Sequence, residues 1–184
     1  MKLLFEVEVE QSDVTGKTIS ETWFLGGVQH RLNGPAVQIF DPNNGRLLEE
    51  QWKKQGRLHR IGGPAKTLMD ATTGKITFES WCVEGKQHRE HGPARVYYHP
   101  DGKVFSEYWI QEGRGHRTDG PSDRTFSPQG ICLSEAWMQH GKYHRADGPA
   151  IMNFDQTTGQ PTRLSYFVDG VERPPPGRPA DGPA

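Results

Sequence analysis

Histidine and arginine stand side by side five times in this sequence, and successive pairs lie 28 or 29 residues apart. An imidazole can bind a metal ion or transfer a proton, and a guanidinium can bind a carboxylate or phosphate through paired hydrogen bonds. The pairs therefore raise three possibilities, which are metal binding, acid–base catalysis and anion binding. The motif histidines are His30, His59, His88, His116 and His144, and the motif arginines are Arg31, Arg60, Arg89, Arg117 and Arg145.

Each pair belongs to a longer motif, Trp-x3-Gly-x2-His-Arg-x2-Gly-Pro, which is followed by Ala or Ser. All five tryptophans of the chain occupy the first position of this motif. A fixed period of this size is the signature of a repeat architecture. The tryptophans are Trp23, Trp52, Trp81, Trp109 and Trp137, and the glycines before proline are Gly34, Gly63, Gly92, Gly120 and Gly148.

The residues between the motifs predict β-hairpins. The Gly-Pro pair is followed by a short apolar-containing segment and then by a turn such as Asp41-Pro-Asn-Asn-Gly45. A second segment then leads to a glutamate two residues before the next Trp. We therefore expect an all-β protein, an elongated single-layer antiparallel meander or solenoid of 28–29-residue hairpin repeats with about twelve strands.

The alternation of side chains along a strand predicts the two faces of this sheet. We expect Trp and the residue five after Pro, such as Phe40, on an apolar face, with the small residue after Pro making room for the indole. The opposite face should be mixed and solvated. Its variable positions would set binding specificity, and they include Lys53, Lys66, Arg95, Tyr97 and Asp123.

One repeat domain should span residues 1–184. Residues 1–25 are predicted to form an N-terminal hairpin cap, residues 26–170 the hairpin repeats, and residues 171–184 a degenerate Pro/Gly-rich terminal unit. Glu6, Glu8 and Glu10 suit an exposed edge strand, and open edges at both ends make a homo-oligomer possible.

Composition excludes several classes of function. The formal net charge of −1 gives no electrostatic case for nucleic acid or an anionic membrane as partner. No secretory h-region or long apolar run is present, so a soluble cytoplasmic protein is expected. Hydrophobic residues other than glycine make up only 33% of the chain, which fits a thin sheet. Cys82 and Cys132 are interpreted as two reduced thiols.

Metal binding and catalysis are not favoured by the repeat. Histidines one hairpin apart should be separated by about 10 Å, whereas zinc lies roughly 2.0–2.1 Å from each ligand. Residues that recur once per repeat encode architecture rather than one active site. A hydrolase carboxylate pair can be assembled from almost any two rows and indicates nothing specific. We therefore expect no metal, no cofactor and no enzyme activity.

The His-Arg pairs have two remaining interpretations. In the structural one, the imidazole donates to a backbone carbonyl or lies against Trp, and the arginine pairs with the glutamate two before a Trp. Asn33, Asp119 and Asp147 would then support a turn with positive φ at their Asx-Gly steps. In the functional one, the arginines form a ladder that binds a polyanion, an acidic surface or a nucleotide-like ligand.

The motif resembles the MORN-type repeat, in a variant that we write Trp-x3-Gly-x2-His-Arg-x-Asp-Gly-Pro-Ala and that is similar to repeats of phage and large-DNA-virus proteins. The resemblance covers about residues 20–170. It implies a stack of hairpins that acts as a scaffold or binding protein, of viral or mobile-element origin. The chain departs from the common repeat in its length and in its His-Arg and Gly-Pro-Ala pairs, so lipid binding and dimerisation carry over weakly.

These observations lead to one expected function and one alternative. The expected function is protein binding without catalysis, as a phage or viral factor that blocks a host protein in the host cytoplasm. The alternative is sequestration of a small anionic, nucleotide-like ligand by the motif arginines and histidines.

Overall fold

The structure, a computed structural model, describes residues 4–176 and is all-β. Its strands are β1 (Phe5–Gln11), β2 (Thr18–Leu25), β3 (Val28–Gln29), β4 (Val37–Phe40), β5 (Leu47–Gln51), β6 (Lys53–Lys54), β7 (Arg57–Leu58), β8 (Lys66–Met69), β9 (Ile76–Ser80), β10 (Cys82–Val83), β11 (Lys86–Gln87), β12 (Arg95–Tyr98), β13 (Val104–Tyr108), β14 (Ile110–Gln111), β15 (Arg114–Gly115), β16 (Asp123–Phe126), β17 (Cys132–Ala136), β18 (Met138–Gln139), β19 (Lys142–Tyr143), β20 (Ile151–Phe154), β21 (Pro161–Val168) and β22 (Val171–Arg173).

One long antiparallel sheet organises the molecule. Its 14 strands follow the order β1-β2-β4-β5-β8-β9-β12-β13-β16-β17-β20-β21-β22, with β3 paired to β2. Consecutive long strands are neighbours, so the predicted meander of hairpins is confirmed, with two more strands than expected. The extra strands come from the ends of the sheet, where β3 and β22 extend the first and last hairpins.

A second row of short hairpins, the motif hairpins, is built from the residues at and after each Trp and, in the last unit, Tyr166. They are β2–β3, β6–β7, β10–β11, β14–β15, β18–β19 and β21–β22. Each of the middle ones turns through two residues with positive φ, for example Gln55 at 51° and Gly56 at 76°. Such a pair forms a type I′ turn, whose twist matches that of a tight hairpin.

Backbone hydrogen bonds join each motif hairpin to the next. The Gly56 N–H donates to the Gln29 carbonyl at 2.9 Å, and the Gly85 N–H donates to the Leu58 carbonyl at 2.9 Å. The same bond recurs from Gly113, Gly141 and Gly170. Stacked repeats are therefore held by backbone bonds in both the main sheet and the row of motif hairpins.

The small residue after each Pro lies beneath its tryptophan partner, as expected. Trp52 donates its backbone N–H to the Ala65 carbonyl at 2.7 Å, which sets the two residues opposite each other. The five small residues are fully buried and are Ala36, Ala65, Ala94, Ser122 and Ala150. A larger side chain has no room there, because the indole of the neighbouring strand lies on the same face.

Hairpins near the two ends of the described chain form the two edges of the sheet. The β1–β2 hairpin occupies one edge of the sheet and β22 pairs with β21 at the other. Residues 1–3 of the predicted cap and residues 177–184 of the predicted terminal unit lie outside the described residues.

Candidate binding site along the motif loops

Every motif arginine stacks on the tryptophan of its own repeat. The guanidinium carbon lies 3.8–4.0 Å from the indole centroid in all five repeats. Its Nη1 donates to the carbonyl of the following motif proline at 3.1–3.4 Å. A cation over an indole contributes about 0.5–2 kcal/mol, so this stack is a recurrent part of the framework. The expected pairing of arginine with the glutamate before Trp is wrong.

In four of the five repeats the glycine before proline is required by this arginine and not by a positive φ, and Gly92, with a φ of 120°, is the exception. A Cβ at Gly63 would lie 2.7 Å from Arg60 Nε, and a Cβ at Gly120 would lie 2.8 Å from Arg117 Cζ. The backbone of Asn33, Asp119 and Asp147 has no positive φ, so the turn that we expected at these positions is wrong. Close approach of the guanidinium explains the glycine instead.

Each motif histidine accepts a hydrogen bond from the next repeat. Nδ1 of His59 accepts the backbone N–H of Glu84 at 3.2 Å, and Glu84 has a φ of 48°. His30, His88, His116 and His144 accept the same 3.2 Å bond, in each case from the backbone N–H of the first turn residue of the next motif hairpin. The imidazole thus satisfies the N–H of a residue in an unfavourable conformation, whereas we expected it to donate to a carbonyl or lie against Trp.

The surroundings of His116 shift the pKa of its imidazole. Its ring lies 4.4 Å from the ring of His140, measured between centroids. Burial, and then the neighbouring charge of His140, lower the pKa of His116. The neutral form that accepts the His140 N–H is therefore favoured.

The glutamates two before Trp bond to side chains of neighbouring strands. Glu79 accepts the Tyr98 hydroxyl at 2.7 Å, and Glu107 accepts Nε of Arg124 at 2.8 Å. In the first repeat Glu21 instead accepts the indole N–H of Trp23 at 2.8 Å. These glutamates lie on the same face as Trp, so the face that we expected to be apolar is amphipathic. The indole nitrogens of the later repeats are buried without a hydrogen-bond partner in the described structure, and they belong to Trp52, Trp81, Trp109 and Trp137.

The predicted mixed face is real but only partly solvated. Register places Lys66, Arg95 and Asp123 in one row across the sheet. Lys66 pairs with Glu49 at 2.9 Å, and Arg95 lies 4.3 Å over the Tyr108 ring. We expected this face to be wet, yet these side chains are half-buried, and the buried Cys82 Sγ lies 3.4 Å from Ser80 Oγ in the same row.

Two further residues of the predicted mixed face, Tyr97 and Lys53, contact neighbouring side chains. Tyr97 packs against Phe78 with ring centroids 4.8 Å apart, and it remains 37% exposed. The Lys53 ammonium donates to the Gln29 side-chain oxygen at 2.5 Å. Burial lowers the pKa of Lys53, against the opposing effect of Glu49.

The arginine ladder divides into two parts. Arg117 and Arg145 each bind a carboxylate, Asp119 at 2.8 Å and Asp147 at 3.0 Å. Arg31, Arg60 and Arg89 have no carboxylate partner among the described residues, because Asn33, Gly62 and His91 stand at the equivalent position. The N-terminal three arginines therefore keep an uncompensated charge, which sequence inspection did not single out.

Grooves separate successive motif loops, which we define as residues 30–35, 59–64, 88–93 and 116–121. We call them notch 1, notch 2 and notch 3 in chain order. Notch 1 encloses about 490 Å³ and has four cationic side chains and no carboxylate in its lining. Its lining residues are His30, Arg31, Leu32, Trp52, Lys53, Lys54, His59, Arg60 and Ile61.

The later grooves lose this positive charge. Notch 2 contains two arginines together with Glu90 and Glu112, and notch 3 contains Arg117 together with Glu90 and Asp119. A further groove beside Arg145 also holds Arg173, but Arg145 is paired with Asp147. Notch 1 is therefore the most basic of these grooves.

The described residues contain no group of three His, Cys, Asp or Glu arranged to hold a metal ion. Cys82 is buried, and burial raises the pKa of both Cys82 and Cys132, which disfavours a reactive thiolate. No helix long and apolar enough to cross a membrane occurs within residues 4–176.

Comparisons with known proteins identify no relative of this chain. No protein-family model, no curated protein and no solved structure matches the chain.

Proposed function

We propose that this protein is a non-enzymatic repeat scaffold that binds another protein. The observation that supports it most is that the recurrent and the variable side chains have different environments. The recurrent motif side chains are used by the framework, since arginine stacks on Trp and histidine accepts a hydrogen bond from the next repeat. The side chains that differ among repeats are left exposed, and these can distinguish one partner from another.

The proposal extends to the setting of this interaction. On the basis of the repeat's resemblance to phage and large-DNA-virus repeats, we propose a viral factor that occupies a host protein in the cytoplasm of the host. Nothing in the charge of the chain, −1 overall, favours nucleic acid as the partner.

A second candidate function is sequestration of a small anionic ligand. It is favoured by the lack of a carboxylate partner for Arg31, Arg60 and Arg89 within the described part of the chain. Against it, each of these guanidinium groups already uses one face on an indole and one N–H on a proline carbonyl.

The test is affinity capture followed by mass spectrometry, with lysate of the cells in which the protein naturally acts. The intact chain is compared with a ladder variant, Arg60→Ala with Arg89→Ala, and with a mixed-face variant, Tyr97→Ser, and thermal unfolding of all three is recorded. We expect the intact chain to retain one or a few proteins reproducibly. A chain that retains no protein above background but binds ATP would favour the second candidate and contradict the first.

A further inference from the structure

Notch 1 differs from the other grooves in the residue that follows each His-Arg pair. Leu32 is 59% exposed and Ile61 is 74% exposed, and both line notch 1. The equivalent residues of the later repeats are Glu90, Thr118 and Ala146. These two large aliphatic side chains are exposed to solvent one repeat apart. They take no part in the stacking of the repeats, which uses the Trp, Arg and His positions.

The same groove holds the uncompensated cations. Arg31 and Arg60 border it from the two motif loops, and Lys53 and Lys54 lie between them on β6. Lys54 also lies 3.3 Å from Glu84, but both side chains are about half exposed and such a pair contributes little. Ile61 and Arg60 also line notch 2, where Glu90 and Glu112 offset the positive charge. Two exposed aliphatic side chains and an excess of positive charge therefore coincide in notch 1.

We propose that notch 1 docks a short acidic peptide segment of the partner, one that carries an aliphatic side chain beside its carboxylates. The inference rests on the proposed protein-binding function and names its site and the chemistry of its partner. Carboxylates would bind the Lys54 ammonium and those N–H groups of Arg31 and Arg60 that the proline carbonyls do not use, and the aliphatic group would be buried between Leu32 and Ile61.

A peptide fits the groove better than a nucleotide does. A base stacks best on an aromatic face, and the Arg60 guanidinium, 3.8 Å from the Trp52 ring centroid, already occupies one face of that indole. The surface that remains in the notch is aliphatic and cationic, which matches an apolar side chain next to carboxylates.

The test is selection of a random peptide display library on the immobilised intact chain. Enriched peptides are synthesised with a fluorescent label, and their affinity is measured by anisotropy at low and high salt. The same peptides are titrated against Leu32→Ser/Ile61→Ser and against a matched control at the equivalent exposed position of a later repeat, Thr118→Ser. Both variants change exposed side chains, and thermal unfolding verifies that they are folded.

We expect enriched peptides to be acidic and to contain aliphatic residues. Their binding should weaken with salt and fall about tenfold or more in Leu32→Ser/Ile61→Ser, and stay unchanged in Thr118→Ser. Enriched peptides that are insensitive to this double variant but sensitive to Tyr97→Ser would leave protein binding standing and overturn the assignment to notch 1.

Two other outcomes also refute the inference. If no peptide is enriched while affinity capture still retains a protein, the partner does not bind through a short segment in this groove. If ATP displaces a selected peptide at a similar concentration and binds Leu32→Ser/Ile61→Ser unchanged, the groove recognises a phosphate anion and the peptide assignment is wrong.

Discussion

Gly63→Ala tests the arginine–tryptophan stack directly. The backbone of Gly63 does not have positive φ, so alanine is compatible with the chain at this position. Its new Cβ would lie 2.7 Å from Nε and 2.8 Å from Cζ of Arg60, closer than such atoms approach. The guanidinium must therefore move away from Trp52.

The expected cost follows from the two contacts that Arg60 would lose. The first is the cation–indole contact at 3.8 Å, which contributes about 0.5–2 kcal/mol. The second is the hydrogen bond from Nη1 to the Pro64 carbonyl at 3.2 Å, which contributes about 0.5–1.5 kcal/mol. We expect Gly63→Ala to lower the free energy of unfolding by about 1–3 kcal/mol, or the melting temperature by roughly 2–10 °C for a chain of this length.

A double-mutant cycle decides whether the arginine is the cause. Urea unfolding, followed by circular dichroism, is measured for the intact chain, Gly63→Ala, Arg60→Ala and the double variant. Without the Arg60 side chain the added methyl meets no guanidinium, so Gly63→Ala should then cost less than about 0.5 kcal/mol. An equal cost in both backgrounds would refute our explanation of the glycine.

Three further predictions concern single residues. Burial raises the pKa of Asp123 to about 6, so the unfolded chain loses this proton first and the free energy of unfolding falls as the pH rises from about 4 to about 6. Asp123→Asn should therefore raise the free energy of unfolding by about 1–3 kcal/mol at pH 8 and by much less at pH 4, as measured by urea unfolding. Gln55 has a φ of 51° where the first repeat has Gly26, and Gln55→Gly should raise the urea midpoint, with a gain of up to about 1 kcal/mol. The lowered pKa of His116 means that the unfolded chain takes up the proton first, so stability is lost as pH falls below 6.5; His116→Asn keeps an acceptor without a titration and should show a smaller fall in melting temperature between about pH 7 and pH 5. An unchanged pH dependence in either titration variant, or a lower midpoint for Gln55→Gly, would contradict the respective argument.

The sequence was sufficient to predict the sheet. Turn residues such as Asp41 and Gly45 recur at one spacing, and the segments between them are too short for helices but suit strands. The turn chemistry is as the residue types suggest, since the Asp41 carboxylate accepts the Asn43 N–H at 2.7 Å. Local rules of this kind fix the hairpins, and the repeat fixes their order.

The roles of the motif residues could not be predicted because they depend on which residues from different strands and repeats come into contact. Pairing Arg60 with a glutamate was chemically reasonable, but that glutamate row bonds to neighbouring strands, as Glu79 does with Tyr98. The histidine bond reaches a turn of the next repeat, and its N–H belongs to a residue whose positive φ the sequence does not reveal. The variable residue after each His-Arg pair was a visible signal, and comparing Leu32 and Ile61 with Glu90 would have found the candidate groove.

Under the function that we propose, regularity and recognition are separate in this molecule. A repeat that satisfies its own polar groups, as arginine, histidine and glutamate do here, presents the same surface in every copy. Selectivity must then arise where the copies differ, and the N-terminal end differs in two independent respects, an unpaired arginine ladder and aliphatic side chains in water. Neither difference stabilises the stack, and exposed aliphatic surface is unfavourable in the absence of a partner. We infer that the first two repeats, which have both features, carry the recognition, and that the repeats of Arg117 and Arg145, whose arginines pair with Asp119 and Asp147, extend the scaffold.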